Sequence, residues 1–232
     1  MFVHGLVESE RSWWTAAQPS GPPTSFGHRL AEELALTPVY LRYTSGLALE
    51  ENARALARLL DELHTAWPVP VHRIDLVGHS MGGLISHRAC HLGAQEGRPW
   101  VDAVRTVIAL GAPHLGAPLA KSVPPAEWLL TRRPVSAPLA RVLAGRSAGI
   151  RDLHRGALPD PMLPRHISYR VVAATLTRDP HHPLGWLIGD GMVRPASALV
   201  AGRGHRLGRV GHQGLLTRPE VYEQVRAWLA AG

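Results

Sequence analysis

The run Ile74-Asp75-Leu76-Val77-Gly78-His79-Ser80-Met81-Gly82-Gly83 constrains the fold of this chain more than any other stretch. Ile74 to Val77 is short and mostly apolar, as expected of a buried parallel strand. From Met81 to about Ala94 the pattern is helical, so Ser80 falls on the turn between strand and helix. The spacing Gly78-x-Ser80-x-Gly82 suits such a turn, because glycine lets the neighbouring backbone approach without a side chain in the way.

The remaining sequence supplies more units of the same kind. Phe2-Val3 is an apolar strand ended by His4-Gly5, and Val39 to Tyr43 is a short alternating strand. Phe26 to Leu36 has helical spacing. From Glu50 to Trp67 the residues Leu56, Leu59, Leu60 and Leu63 mark an amphipathic helix, stopped by Pro68 and Pro70. Val104 to Leu110 and Tyr169 to Leu176 are strong β runs. Arg206 to Val210 is a weak last strand, and Pro219 to Ala231 is a closing helix. A long loop through Pro180 and Pro183 is expected before Gly189-Asp190-Gly191. Strands alternating with helices predict an α/β fold: a mostly parallel sheet of about six strands, with helices on both faces. No repeat or long linker divides the 232 residues, so one domain is expected. Within it, about 119–165 forms a helical cap or lid insertion, with Trp128-Leu129-Leu130 as candidate pocket lining. Trp13-Trp14 is either further lining or core.

A serine hydroxyl becomes a nucleophile only with a base beside it and donors for the oxyanion that its attack creates. For Ser80 the backbone N–H of Met81 is one candidate donor, at the positive end of the following helix. Leu6, after His4-Gly5 at the end of the first strand, is the other. The base is expected downstream of the acid, in the chain order serine, acid, histidine. Among 14 histidines, His205 and His212 flank the last strand. Position favours His212, in the loop before the closing helix. Asp179 and Asp190 follow the strand ending near Leu176; glycines on both sides suit Asp190 to a tight turn, whereas Asp179 before Pro180 suits a turn cap. His181-His182 has no Cys or carboxylate cluster with which to complete a metal site.

These pieces resemble bacterial lipase/esterase α/β-hydrolases, and within them the PGAP1-like (GPI inositol-deacylase-like) group. The resemblance rests on Val3-His4-Gly5-Leu6, Leu76 to Gly83, Leu110-Gly111-Ala112-Pro113-His114-Leu115-Gly116, Gly149 to Leu153, Gly189-Asp190-Gly191-Met192-Val193 and Gly211-His212. Ala112 stands where threonine is usual. The resemblance implies the α/β-hydrolase fold and carboxylic-ester hydrolysis through Ser80, Asp190 and His212. It implies Leu6 and Met81 as oxyanion donors, with His4, Gly5, Gly78, His79 and Gly82 supporting them. It also favours Asp190 over Asp179. Such chemistry needs no metal and no cofactor. An acyltransferase using the same residues, or a non-catalytic protein on the same scaffold, are the other classes open to this sequence.

Composition narrows the partners. The net charge of +7 comes almost wholly from arginine, since Lys121 is the only lysine. The arginines are scattered and no basic run of five or more occurs, which argues against nucleic acid. The expected partner is a small-molecule or lipid ester, with peripheral lipid contact open and the oligomeric state unset. No stretch nears the roughly 20 apolar residues of a membrane span, and no signal peptide precedes the first strand. As it stands the chain reads as cytoplasmic. Only three residues precede His4, fewer than the about five or six of an average strand. The expectation is therefore a true start upstream of Met1, where a targeting segment would lie. Cys90, the single cysteine, is expected as a buried structural thiol.

Overall fold

Alternate side chains of the strands enter two separate apolar cores, one on each side of the sheet. In the computed structural model, residues 1–14, 24–116, 148–155, 162–199 and 204–232 are described. Val3, Leu76, Val107, Ala109 and Val171 face one core; Phe2, Val77, Ile108, Leu110 and Val172 face the other. Burial on both faces is why these strands read as nearly continuous apolar runs.

The strands are β1 (Phe2–Val3), β2 (Tyr40–Leu41), β3 (Ile74–His79), β4 (Val104–Leu110), β5 (Ser168–Thr175) and β6 (His205–Gly208). They form one sheet in the order β2-β1-β3-β4-β5-β6, parallel at every pairing. The α-helices are α1 (Phe26–Leu34), α2 (Leu49–Ala66), α3 (Met81–Gln95), α4 (Trp100–Ala103), α5 (Ala148–Arg155), α6 (Pro183–Ile188), α7 (Pro195–Ala198) and α8 (Pro219–Ala230). Helices α2 and α3 cover the Val3 side with Leu56, Leu60, Leu84 and Ile85. Helices α1 and α8 cover the Phe2 side with Phe26, Leu30, Val221 and Val225.

Two-residue β1 is central despite its length. The Phe2 N–H donates to the Val39 carbonyl at 2.7 Å, and the Val77 N–H donates to the Met1 carbonyl at 2.9 Å. The Met1 amine donates to the Asp75 carbonyl at 2.6 Å; burial lowers its pKa to about 6, against the opposing pull of Asp75. The chain leaves β1 for β2 on one side, then crosses back to β3 on the other. In open parallel sheets that reversal leaves a crevice beyond the carboxyl ends of the two diverging strands. His4-Gly5-Leu6 and Ser80 emerge there.

One local expectation is corrected and one open alternative is resolved. The loop through Pro183 contains α6, begun by Pro183 at its first turn, with His182 Nδ1 accepting the Leu184 N–H at 3.2 Å. Six residues are too few to show a helical period. Trp13 is core, packed edge-on to Phe2 at 5.0 Å, whereas Trp14 is exposed. Most of the expected cap, residues 119–147 and 156–161, lies outside the described residues; α5 and 162–165 are the parts within them. Helix α5 packs against the rest through Asp152, whose Oδ2 accepts the Leu49 N–H at 2.9 Å. Burial raises the Cys90 thiol to about 12. Among the described residues, no helix is long and apolar enough to cross a membrane.

Candidate active site

Ser80 sits between β3 and α3 with φ 51° and ψ −121°, a backbone conformation unfavourable for a residue with a side chain. Its surroundings hold it there. The Ser80 N–H donates to the Leu110 carbonyl at 2.8 Å, and the Ser80 carbonyl accepts from Gly83 N–H at 3.0 Å. Gly78 and Gly82 make the turn possible by close approach. A Cβ on Gly78 would lie 2.4 Å from the Gly82 backbone, and one on Gly82 would lie 2.3 Å from the Val3 carbonyl oxygen. The turn is thus wedged against β1.

The loop after β1 runs beside the serine. Register pairs Val3 with Gly78, and a Cβ on Gly5 would come within 3.1 Å of Ser80 Cβ. His4 is buried, its ring stacked on Tyr43 at 4.2 Å; the Tyr43 hydroxyl donates to the His4 carbonyl at 2.7 Å. In this loop the Gly5 N–H donates to Glu8 Oε2 at 2.7 Å and the Val7 N–H to Ser45 Oγ at 3.0 Å. Among the described residues the intervening Leu6 N–H has no acceptor. The Met81 N–H, the first of α3, has none either, as the opening N–H groups of a helix lack partners within it.

His212 and Asp190 meet on the other side. His212 Nδ1–H donates to Asp190 Oδ2 at 2.8 Å, and the His212 N–H donates to the Asp190 carbonyl at 3.0 Å. Asp190 Oδ1 accepts the Met192 and Val193 N–H groups at 2.9 and 2.8 Å. With both oxygens engaged and the side chain buried, the carboxylate has little freedom to turn. Burial by itself would lower the His212 pKa; the Asp190 charge, the Asp190 hydrogen bond and the Glu8 charge together outweigh it and raise it. The end of β4 ties this pair to the serine. Gly111, next to the Leu110 carbonyl that holds Ser80, would place a Cβ 3.2 Å from Asp190 Oδ2 and 3.3 Å from His212 Cε1. Among the described residues no hydrogen bond joins Ser80 Oγ to His212 Nε2. Such bonds commonly tighten only when substrate binds.

The alternatives weighed from sequence lie elsewhere. Asp179 Oδ1 accepts the His181 N–H at 2.8 Å, a turn cap. His205 opens β6, at the amino end of the strand. His181 Nδ1 accepts from Arg206 at 3.4 Å, and His182 caps α6. No group of three His, Cys, Asp or Glu side chains among the described residues is arranged to hold a metal ion. A cavity of about 290 Å³, lined by Met1, Leu30, Pro38, Leu63 and Ile74 among others, opens at the amino ends of the strands, and neither Ser80, Asp190 nor His212 lines it.

One largely covered residue escaped the sequence reading. Glu8 lies against His79: Nδ1–H donates to Glu8 Oε2 at 2.9 Å, while Nε2–H donates to the His212 carbonyl at 3.1 Å. Gln213 Nε2–H donates to Glu8 Oε1 at 2.9 Å. Burial works to raise the Glu8 pKa, but the His79 ring and the bonds from His79, Gln213 and Gly5 hold it down at about 2. The only sequence signal was an acidic residue three positions beyond Gly5.

The parallel order 2-1-3-4-5-6, helices on both faces and a serine turn at the point of reversal define an α/β-hydrolase fold. Within that class, residues 43–123 match the model of the PGAP1-like alpha/beta domain family. No curated protein matches the chain. Solved structures do. The mature form of Bacillus licheniformis lipase BlEst2 superposes with a TM-score of 0.68 at 20% identity, covering 98% of this chain and 89% of the lipase. The RedJ thioesterase of the prodiginine pathway in Streptomyces coelicolor gives 0.57 at 20% identity, covering 99% and 88%. The metagenomic carboxyl esterase MGS0156 gives 0.57 at 15% identity, covering 99% and 73%. At these identities the likeness establishes the fold.

Proposed function

We propose that this protein is a serine hydrolase that cleaves carboxylic esters through an acyl-enzyme on Ser80. The observation that carries this reading is the 2.8 Å bond between buried His212 and Asp190, on the same strand ends as the strained Ser80 turn. Ser80 Oγ attacks the ester carbonyl while His212 Nε2 takes its proton. Asp190 fixes the imidazole tautomer and offsets the charge that forms. The N–H groups of Leu6 and Met81 donate to the developing oxyanion; Leu6 is available between the bonded N–H groups of Gly5 and Val7, and Met81 as the first N–H of α3. The tetrahedral adduct collapses, and His212 returns the proton to the departing alcohol. Water, deprotonated by His212, then attacks the acyl-enzyme, and His212 returns that proton to the departing Ser80 oxygen as the acid is released.

The test is labelling with a fluorophosphonate probe, with the modified peptide mapped, followed by p-nitrophenyl esters of increasing chain length. Labelling at Ser80 and hydrolysis abolished by Ser80→Ala are expected. Undiminished hydrolysis by Ser80→Ala sinks the reading. Added alcohol, competing with water for the acyl-enzyme, separates hydrolysis from acyl transfer.

A further inference from the structure

Three segments converge on one carboxylate that the mechanism above does not use. We propose that Glu8 is a positioning residue for the active site: through His79 and Gln213 it fastens the oxyanion loop, the serine turn and the histidine loop to one another. This rests on the reading of Ser80, His212 and Leu6 given above.

The connections are direct. Oε2 accepts the Gly5 N–H at 2.7 Å, which holds the His4–Gly5 peptide, one unit before the peptide that carries the Leu6 N–H. The same oxygen accepts from His79 Nδ1 at 2.9 Å, on the residue just before Ser80. Oε1 accepts from Gln213 Nε2 at 2.9 Å, on the residue just after His212. His79 closes the circuit, its Nε2–H donating to the His212 carbonyl at 3.1 Å. A carboxylate and a carbonyl can only accept, so the ring satisfies both when it carries a proton on each nitrogen. The His79 side chain is 0% exposed and that of Glu8 9% exposed, so water does not readily substitute for these bonds. The His79 and His212 rings lie 4.6 Å apart, centroid to centroid. Every bonded neighbour of Glu8 is therefore one residue away from a group assigned to the chemistry.

Side chains distant in sequence hold these loops, so loosening Glu8 misplaces Leu6 relative to Ser80 without touching substrate. Displacements of about 1 Å in such constellations cost on the order of 100-fold in rate. A group acting only on alignment lowers kcat and leaves KM nearly unchanged.

The experiment compares wild type, Glu8→Ala and Glu8→Gln by steady-state hydrolysis of p-nitrophenyl butyrate, fluorophosphonate labelling and thermal melting. For Glu8→Ala, kcat is expected to fall roughly 10- to 100-fold with KM changed by less than about twofold, Ser80 still labelling, more slowly. Glu8→Gln keeps the shape and an acceptor for Gly5, and Gln213 can turn its amide to present oxygen. It is expected to recover at least about fivefold of the lost kcat. A kcat for Glu8→Ala within about twofold of wild type overturns the proposal, as does a loss confined to KM. Equal impairment of folded Glu8→Ala and Glu8→Gln also overturns it. If Glu8→Ala does not fold, Gln213→Ala, which cuts the link from Glu8 to the histidine loop, decides against wild type: a KM-independent loss in kcat supports the proposal and an unchanged kcat overturns it. Wild type that labels at Ser80 and hydrolyses esters alongside unimpaired Glu8 variants removes this inference alone. Wild type that neither labels nor hydrolyses removes the proposed function and this inference with it.

Discussion

Two carboxylates flank the Ser80 turn, buried Asp190 and largely covered Glu8, and they are held in different ways. Asp190, on the turn after α6, takes two hydrogen bonds from N–H groups of its own turn and a third from His212. Glu8, on the loop after β1, takes one from its own loop and the others from His79 and Gln213, which are 71 and 205 residues away. Asp190 touches the proposed base. Glu8 touches only residues that adjoin the proposed chemistry. The pair separates a group that takes part in a reaction from one that keeps its participants aligned, and it teaches that burial and hydrogen bonding alone do not tell the two apart.

Substitutions that break the comparison should rank accordingly. Ser80→Ala sets the floor, with turnover down about a million-fold, measured on p-nitrophenyl esters. Asp190→Asn is expected to lower kcat by about 10,000-fold, because an amide no longer fixes the tautomer of His212. Glu8→Ala falls well short of that, at the 10- to 100-fold already stated. Equal losses for Asp190→Asn and Glu8→Ala would erase the distinction between them.

The pH profile sharpens it. The raised pKa of His212 places the acid limb of kcat/KM above the ordinary histidine value of about 6.5, and Asp190→Asn should move that limb downward. In stability the signs are opposite for the two sides. The raised His212 value means that its pairing stabilises the fold fully below about 6.5, and that this contribution fades as pH rises through the raised value. The depressed Glu8 value means a contribution present above the usual carboxylate range and lost as pH falls towards about 2. Denaturant titrations of wild type and Glu8→Gln below pH 5 should therefore converge. The smallest expected effect lies outside the site. Asp152→Ala removes the group that caps α2 at Leu49 and should cost about 1 kcal/mol in denaturant unfolding.

What was legible follows the same division between near and far in sequence. β4 runs from Val104 to Leu110 as its apolar pattern predicts, and α3 ends within a residue of its expected limit. The meeting of Asp190 with His212 was legible, because order along the chain restricts which acid and which histidine can pair there. Helix α6 was not, because only Pro183 announces it. Glu8 was not, since nothing around Val7-Glu8-Ser9 distinguishes a buried carboxylate from a solvated one.

The sequence by itself determined the alternation of strands and helices and the serine turn between Gly78 and Gly82. Those depend on side-chain period and on backbone freedom, which act over a few neighbours. Only the tertiary structure decided that Asp152 caps a helix whose own N-cap residue is Ala48, and that Trp13 enters the core while Trp14 stays exposed. It also brought Glu8 under His79 and Gln213. The cap and the Glu8 contacts join groups far apart in sequence, which no local pattern records, and for Glu8 a low-dielectric surrounding makes an unpaired charge costly.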